Sequence, residues 1–329
     1  MRVLVIGGGG IGQVHLTQYA KMSDVEIVGL VDIRPDAHEI AKKYHTTSFR
    51  SINDVNIDDF DTVDIDVPTV FHKEYAFWAS NIGKDIICEK PLARDVKDAS
   101  SIIEKCKENH VRLFVGQVLR YYPEYIKVKQ LIDSGNIGKP CNATTWRGGV
   151  SPTGEQNWYR NRNASGGTVF DMVIHDFDFL RWTLGPIDEV FCRQSKQNDG
   201  NVDYSVTNLK FKSGAIADAH GFWGHGQFRT KLEIAGTEGI LVNDSTKNQL
   251  LYSTSSYNVP ENPDGDQYPD FFLEYDPMYA ELRNFVDSIK EKKKSNVTEM
   301  DALEAVKIAS AAEKSAKTGT PVSLEEVLE

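Results

Sequence analysis

The chain has 329 residues, enough for two domains on the usual scale of roughly 100–200 residues each. Hydrophobic residues make up 40% and charged residues 26%, the balance of a globular protein. A net charge of −11 argues against a broad nucleic-acid surface, and the basic run Lys290-Glu291-Lys292-Lys293-Lys294 reads as a solvated helix end.

An apolar run, Val3-Leu4-Val5-Ile6, opens directly into Gly7-Gly8-Gly9-Gly10-Ile11-Gly12. Gly7, Gly9 and Gly12 have G-x-G-x-x-G spacing: a tight turn, a close backbone approach to a pyrophosphate, and close helix–strand packing. A helix from Gln13 to Met22 follows, then a strand from Val25 to Asp32. Asp32 stands twenty residues after Gly12, where such a fold places the carboxylate that accepts hydrogen bonds from ribose hydroxyls. Its charge would repel a 2′-phosphate and favours NAD, whereas Arg34, two residues on, would pair with that phosphate and leaves NADP open.

Strands and helices keep alternating: a helix over Asp36–Tyr44, a strand over Thr62–Pro68, a helix over Phe71–Asn81, a strand over Ile86–Pro91, a helix over Val96–Asn109 and a strand over Arg112–Gly116. This pattern predicts a doubly wound parallel sheet in about the first 120 residues. Lys90 closes one of those strands, where ligands bind in such sheets, and Pro91 biases it toward an extended backbone.

Helix is expected to Ser134, and from there strand signals dominate: Asn142–Arg147, Glu189–Ser195, Tyr204–Lys212 paired through Ser213-Gly214 with Ala215–Trp223, then Lys231–Ala235 and Ile240–Asn243. Before most of them lies Ser165-Gly166-Gly167-Thr168-Val169-Phe170-Asp171-Met172-Val173-Ile174-His175-Asp176. Asp171 and His175 are four apart and share a helical face, with Asp178 alongside, while Val173, Phe177, Leu180 and Leu184 form the packing face. Such a pair serves either as a hydrogen-bonded structural contact or as proton-transfer machinery. No third ligand is spaced for a metal there and H-E-x-x-H is absent, so no metal is expected.

No apolar stretch approaches the roughly 18 residues of a membrane span, and the first strand begins at Val3 without a signal-peptide pattern. Cys88, Cys106, Cys141 and Cys192 lack C-x-x-C spacing and read as packing residues in a reducing compartment. The expectation is a cytoplasmic protein with neither membrane nor nucleic-acid partners.

The stretch Gly83-Lys84-Asp85-Ile86-Ile87-Cys88-Glu89-Lys90-Pro91 resembles the G-K-x-V-x-x-E-K-P signature of the glucose–fructose oxidoreductase / inositol dehydrogenase / rhizopine catabolism family. Val67-Pro68-Thr69-Val70-Phe71-His72 is similar to the family's T-P-x-x-x-H element, and Leu119-Arg120-Tyr121-Tyr122-Pro123 to its hinge. Asp66 departs from the small or hydroxylated residues usual there; it faces either the cofactor or a neighbouring hydrogen bond. Gly166, Gly167, Asp171, His175 and Asp176 match the G-G-x-x-x-D-x-x-x-H-D element of the inositol-dehydrogenase-like branch, and the tail around Tyr279, Glu281, Phe285 and Asp301–Ala305 matches as well.

The resemblance implies an α/β protein: a Rossmann dinucleotide-binding domain over 1–122, then a substrate-binding and oligomerisation α+β domain over 123–329 with a large, mostly antiparallel open sheet. NAD would be held by Gly7, Gly9, Gly10, Ile11, Gly12, Asp32, Arg34, Pro68, His72, Glu89 and Lys90. A small polyol or sugar would be held by Lys90, Arg120, Asn157, Trp158, Asp171, His175 and Tyr279. His175 would take the hydroxyl proton, Asp171 would orient it or bind substrate, and Lys90 would stabilise the developing alkoxide. Myo- or scyllo-inositol leads as substrate, ahead of an aldose or sugar derivative; an NAD-dependent glycosidase and a non-catalytic nucleotide sensor are the readings from other classes. The open sheet would build a homodimer or homotetramer. The polar stretch over 253–270 reads as a contact arm or a lid.

Overall fold

The apolar runs fold as their pattern dictates in a computed structural model that describes residues 1–197, 202–224, 226–247, 249–254 and 275–327. Most of the 253–270 stretch therefore lies outside the described residues. The chain divides into two units: Met1–Val118, Gly154–Trp158 and Asp276–Leu303 form the first, and Leu119–Thr153, Tyr159–Tyr275 and Glu304–Glu329 the second. This corrects the single cut expected after residue 122, because the polypeptide returns to the first unit twice.

In the first unit, β1 (Arg2–Ile6), α1 (Gly10–Ala20), β2 (Glu26–Val31), α2 (Ala37–Lys43), β3 (Ser48–Phe49), β4 (Thr62–Ile65), α3 (His72–Asn81), β5 (Asp85–Cys88), α4 (Val96–Glu108) and β6 (Leu113–Val115) follow one another. The strands pair in the order β3-β2-β1-β4-β5-β6, every pair parallel. Val3, Leu4, Val5 and Ile6 are all buried, as a parallel strand covered on both faces requires. The two-residue β3 is too short for a periodic signal and was not expected.

The return of the chain has an apolar cause. On α8 (Pro277–Glu291), Leu282, Phe285 and Val286 are buried in one cluster with Val3, Val5, Leu16, Tyr19, Ile87 and Phe114. Each such side chain contributes about 1.5–3 kcal/mol when buried. Polar contacts fix the register: Gln18 Nε2 donates to Asp276 Oδ2 at 2.8 Å, and the Gln117 N–H donates to buried Glu281 Oε1 at 2.6 Å. Tyr279 packs against the same cluster.

The second unit contains α5 (Pro123–Asp133), β7 (Pro140–Val150), α6 (Arg162–Ser165), a π turn (Val169–Val173), α7 (Ile174–Leu184), β8 (Ile187–Gln197), β9 (Val202–Phe211), β10 (Ile216–Gly224), β11 (Arg229–Gly236), β12 (Gly239–Asp244) and β13 (Gln249–Thr254). α9 (Glu299–Thr318) and β14 (Val322–Ser323) complete the chain. The eight strands run β13-β12-β11-β7-β10-β9-β8-β14, and all pairs are antiparallel except β7–β10. Along β9, buried Asp203, Ser205, Thr207, Leu209 and Phe211 alternate with exposed Tyr204, Val206, Asn208 and Lys210, so one face packs and the other meets solvent. Three cysteines are buried; Cys141 is exposed, contrary to its reading as a packing residue. Among the described residues, no helix is long and apolar enough to cross a membrane.

Candidate active site

The glycine turn comes first. Gly7 takes φ +101°, and a Cβ there would lie 2.6 Å from the Asp66 carbonyl oxygen, so a side chain is excluded on both counts. A Cβ on Gly12 would fall 1.9 Å from the Gly7 carbonyl oxygen, the close packing that the third glycine serves. Gly9 and Gly10 differ, because a Cβ on either would meet nothing within 4 Å. Gly9 caps α1 with no side-chain hydrogen bond, and the first turn, Gly10-Ile11-Gly12, carries no acid. An 11-residue helix thus presents its N-terminus at a cradle open at Gly9 and Gly10, which fits a pyrophosphate.

Asp32 closes β2. Its Oδ2 accepts the Gly8 N–H at 2.6 Å, and its Oδ1 accepts the Arg34 N–H at 2.7 Å. The Arg34 guanidinium turns back onto the same carboxylate, with Nε 3.2 Å from Oδ2, and onto the Gly8 carbonyl. It is committed to the carboxylate that was expected to compete with it, and the acid-lined reading of the cofactor site is strengthened.

Pro68 precedes a single 3-10 turn, Thr69–Phe71, which leads into α3. His72, expected to hold cofactor, is instead 1% exposed, with Nδ1 3.0 Å from the Pro91 carbonyl and Nε2 2.9 Å from the Val67 carbonyl. It ties the segment after β4 to the segment after β5. Burial lowers its pKa, partly offset by these carbonyls. Glu89 is also buried; its Oε2 accepts the Lys90 N–H at 3.0 Å and its Oε1 faces His15. Both residues position the strand end from inside. Lys90 is half-buried, and the Lys90–Pro91 peptide is cis.

In the second unit, Gly166 (φ +75°) and Gly167 (φ +66°) turn the chain out of α6. A Cβ on Gly167 would lie 2.3 Å from Asp203 Oδ2, the oxygen that accepts the Thr168 N–H at 3.1 Å. Asp203 of β9 thereby anchors the entry to the π turn that carries Asp171. A π turn spends an extra residue per turn and is frequent at functional sites. It changes the expected face: Asp171 and His175 are half-buried, whereas Asp178 is sealed inside at 1% exposure.

The neighbouring acids are structural. Arg120, expected to bind substrate, makes a buried bidentate pair with Asp178, Nε–Oδ2 2.8 Å and Nη2–Oδ1 2.6 Å. Arg147 Nε donates to Asp176 Oδ2 at 2.8 Å, and its Nη2 donates to the Tyr125 hydroxyl at 2.9 Å. Sequence reasoning missed Arg147, the last residue of one expected strand, and Asp203, which directly precedes the strand expected from Tyr204. Asn157 is exposed with φ +54°, and Trp158 beside it is half-buried; both belong to the first unit, as does Tyr279. His15 and Asp64, also unforeseen, form with Asp66 a group of three buried groups of metal-ligand type in the first unit.

A parallel sheet whose first crossover offers an uncapped helix end to an anion is the architecture of a dinucleotide-binding oxidoreductase. The chain belongs to the GFO/IDH/MocA family of these enzymes: residues 1–117 match its "Oxidoreductase family, NAD-binding Rossmann fold" domain and residues 125–242 its "GFO/IDH/MocA C-terminal domain". It is 30% identical to the myo-inositol 2-dehydrogenase of Thermotoga maritima, covering 100% of both chains. It is 28% identical to the scyllo-inositol 2-dehydrogenase (NAD(+)) of Bacillus subtilis, covering 99% of this chain and 96% of that one. Among solved structures, a probable dehydrogenase from Thermotoga maritima superposes with a TM-score of 0.82 at 29% identity, covering 99% and 100%.

Proposed function

We propose that this enzyme oxidises a secondary alcohol of a cyclitol, with myo- or scyllo-inositol the leading substrates, and that Lys90, Asp171 and His175 carry the reaction. The observation behind it is the contrast along one segment: Asp176 and Asp178 are consumed in buried ion pairs, while Asp171 and His175 stay half-buried, held by the π turn and α7. The relatives named above as inositol dehydrogenases support the substrate class.

When bound, NAD supplies the hydride acceptor. His175 takes the hydroxyl proton on a ring nitrogen, as general base. Asp171 orients the imidazole or binds a substrate hydroxyl. The Lys90 ammonium donates to the reacting oxygen and stabilises the charge that develops there. Trp158, Asn157 and Tyr279 supply stacking and amide contacts to the polyol.

The test is NADH absorbance across a panel of inositols and sugars, with Lys90→Met and His175→Ala beside the parent. Turnover of an inositol, and a loss of about 10²–10³ in kcat for each variant, is expected. Activity confined to aldoses would move the substrate; kcat within about tenfold in either variant would remove that residue from the mechanism.

The solvent-facing side of the large sheet carries Tyr204, Val206 and Ile216 at 45%, 43% and 49% exposure. We infer that a second copy covers them, giving a dimer or tetramer. Light scattering at micromolar concentration tests this, and a monomer would refute it.

A further inference from the structure

The proposed chemistry leaves unused a group of ionisable side chains buried beneath the glycine turn. His15 of α1 has Nδ1 2.9 Å from Asp64 Oδ2 and 3.2 Å from Asp66 Oδ1, while Nε2 lies 3.3 Å from Glu89 Oε1. The side chains of His15, Asp64, Asp66 and Glu89 are 2%, 0%, 0% and 10% exposed. Among the described residues, Asp66 Oδ1 and Oδ2, Asp64 Oδ1 and His15 Nε2 make no hydrogen bond, so the approach of Nε2 to Glu89 is a charge contact.

Three dry carboxylates around a neutral ring would leave three uncompensated charges, an arrangement that burial penalises severely. Both ring nitrogens face carboxylate oxygens. Nδ1 is hydrogen-bonded to Asp64, Nε2 lies within 3.3 Å of Glu89, and only the imidazolium places a positive charge between these acids. That cation compensates Glu89 on one side and one of the two aspartates on the other. Asp64 is nearer; Asp66, with neither oxygen hydrogen-bonded, is the carboxyl that holds a proton. One net negative charge then remains.

The group joins the three segments that build the cofactor cradle. His15 lies on the helix that the glycine turn starts. Asp66 donates its N–H to Ile6 at 2.8 Å, and its carbonyl closes over Gly7. Glu89 holds the Lys90 N–H. We propose that a doubly protonated His15, clamped between Asp64/Asp66 and Glu89 with a proton retained on Asp66, is a positioning device that sets the Glu89–Lys90 segment against the glycine turn. The part concerning Lys90 rests on the catalytic role proposed above.

The charges around it agree. Burial alone would lower the His15 pKa, but Asp66, Asp64 and the Glu89 contact carry it well above the ordinary histidine value. Burial and the neighbouring Asp64 and Glu89 raise Asp66, against the pull of His15. Burial would raise Glu89, yet His15 and Lys90 hold it below its usual range. Tyr19 of α1 meets the ring edge-on at 6.4 Å, Cys88 of β5 is neutral beside the acids, and Glu281 of α8 adds negative field at Tyr19. Because the folded state binds the His15 proton more tightly than the unfolded chain, that stabilisation is complete below the ordinary histidine pKa and is lost as pH rises through the folded value.

Four measurements decide it. ¹⁵N NMR of the full chain at neutral pH should show both His15 nitrogens protonated; a pyridine-type nitrogen would overturn the proposal. Asp66→Asn, which mimics the neutral acid, should keep Tm within about 3 °C, whereas Asp64→Asn should lower it by roughly 10 °C; equal losses would overturn the proton assignment. Stoichiometric copurification of a divalent metal, with a fall in Tm on adding EDTA, would make the group a metal site and overturn the clamp. Glu89→Gln should lower kcat about tenfold, and Glu89→Gln with Lys90→Met should be no slower than Lys90→Met alone; additive losses would refute action through Lys90. The NMR and Tm results stand whatever Lys90 does, and an active Lys90→Met would remove the catalytic reading while leaving the clamp intact.

Discussion

The Gly8 N–H points at Oδ2 of Asp32 from 2.6 Å, and the guanidinium of Arg34 lies against the same carboxylate. One acid thus fixes the glycine turn and occupies the only arginine that sequence reasoning offered to a 2′-phosphate. Replacing Asp32 with Ser removes the repelling charge and releases Arg34. The ratio of kcat/KM for NADP over NAD should rise by at least about tenfold, or roughly 1.4 kcal/mol. An unchanged ratio in steady-state assays would show that cofactor choice lies elsewhere.

The glycines of the turn divide into two physical kinds, and substitution separates them. Gly9→Ala adds a methyl to open space and should leave Tm within about 2 °C, yet weaken NAD binding by tenfold or more if the pyrophosphate takes up that space as proposed. Gly12→Ala sets a methyl 1.9 Å from the Gly7 carbonyl and should destabilise the apo protein by at least about 2 kcal/mol. Urea unfolding and titration calorimetry on both variants test the division; Gly9→Ala with parental NAD affinity would place the cofactor differently.

Much of this was legible in advance. Val3–Gly12, Asp32 and the alternation to Val115 gave the parallel sheet, because strands buried on both faces leave continuous apolar runs. What stayed hidden depended on long-range packing. The return of α8 to β1 and α1 uses Leu282, Phe285 and Val286, whose helical spacing shows an apolar face but not its partner. The π turn left no periodic mark, so Asp178 was placed beside His175 when it faces Arg120. His15 and Asp64 looked like an ordinary helix residue and an ordinary strand residue, since only the sheet order brings them together.

The pairs Arg120–Asp178 and Arg147–Asp176 both fasten the N-terminal half of α7, so breaking either exposes what buried charge costs. Asp178→Asn removes the carboxylate that holds a 4%-exposed arginine in a bidentate pair and should lose about 3–5 kcal/mol of stability. Arg120→Met combined with Asp178→Leu should recover most of that loss, because no charge is left stranded. Urea denaturation of the single and double variants provides the comparison; a double variant no better than Asp178→Asn would mean that the pair has further structural work at this position.

Gly221 of β10 is where the sheet admits the π turn: a Cβ there would lie 2.2 Å from Val173 Cγ2 and 2.8 Å from Ser205 Oγ. Gly221→Ala therefore forces Val173, in the turn that carries Asp171, to give way, and is expected to shift that turn. Displacement of a reacting group by about 1 Å costs on the order of 10²-fold in rate, so kcat should fall by that order. The glycine turn and Asp32 belong to the other unit, so the Kd for NAD should stay within about twofold of the parent. Parental turnover of the best substrate by a folded Gly221→Ala protein would show that the π turn tolerates the shift, and that Asp171 does not need its observed position for catalysis.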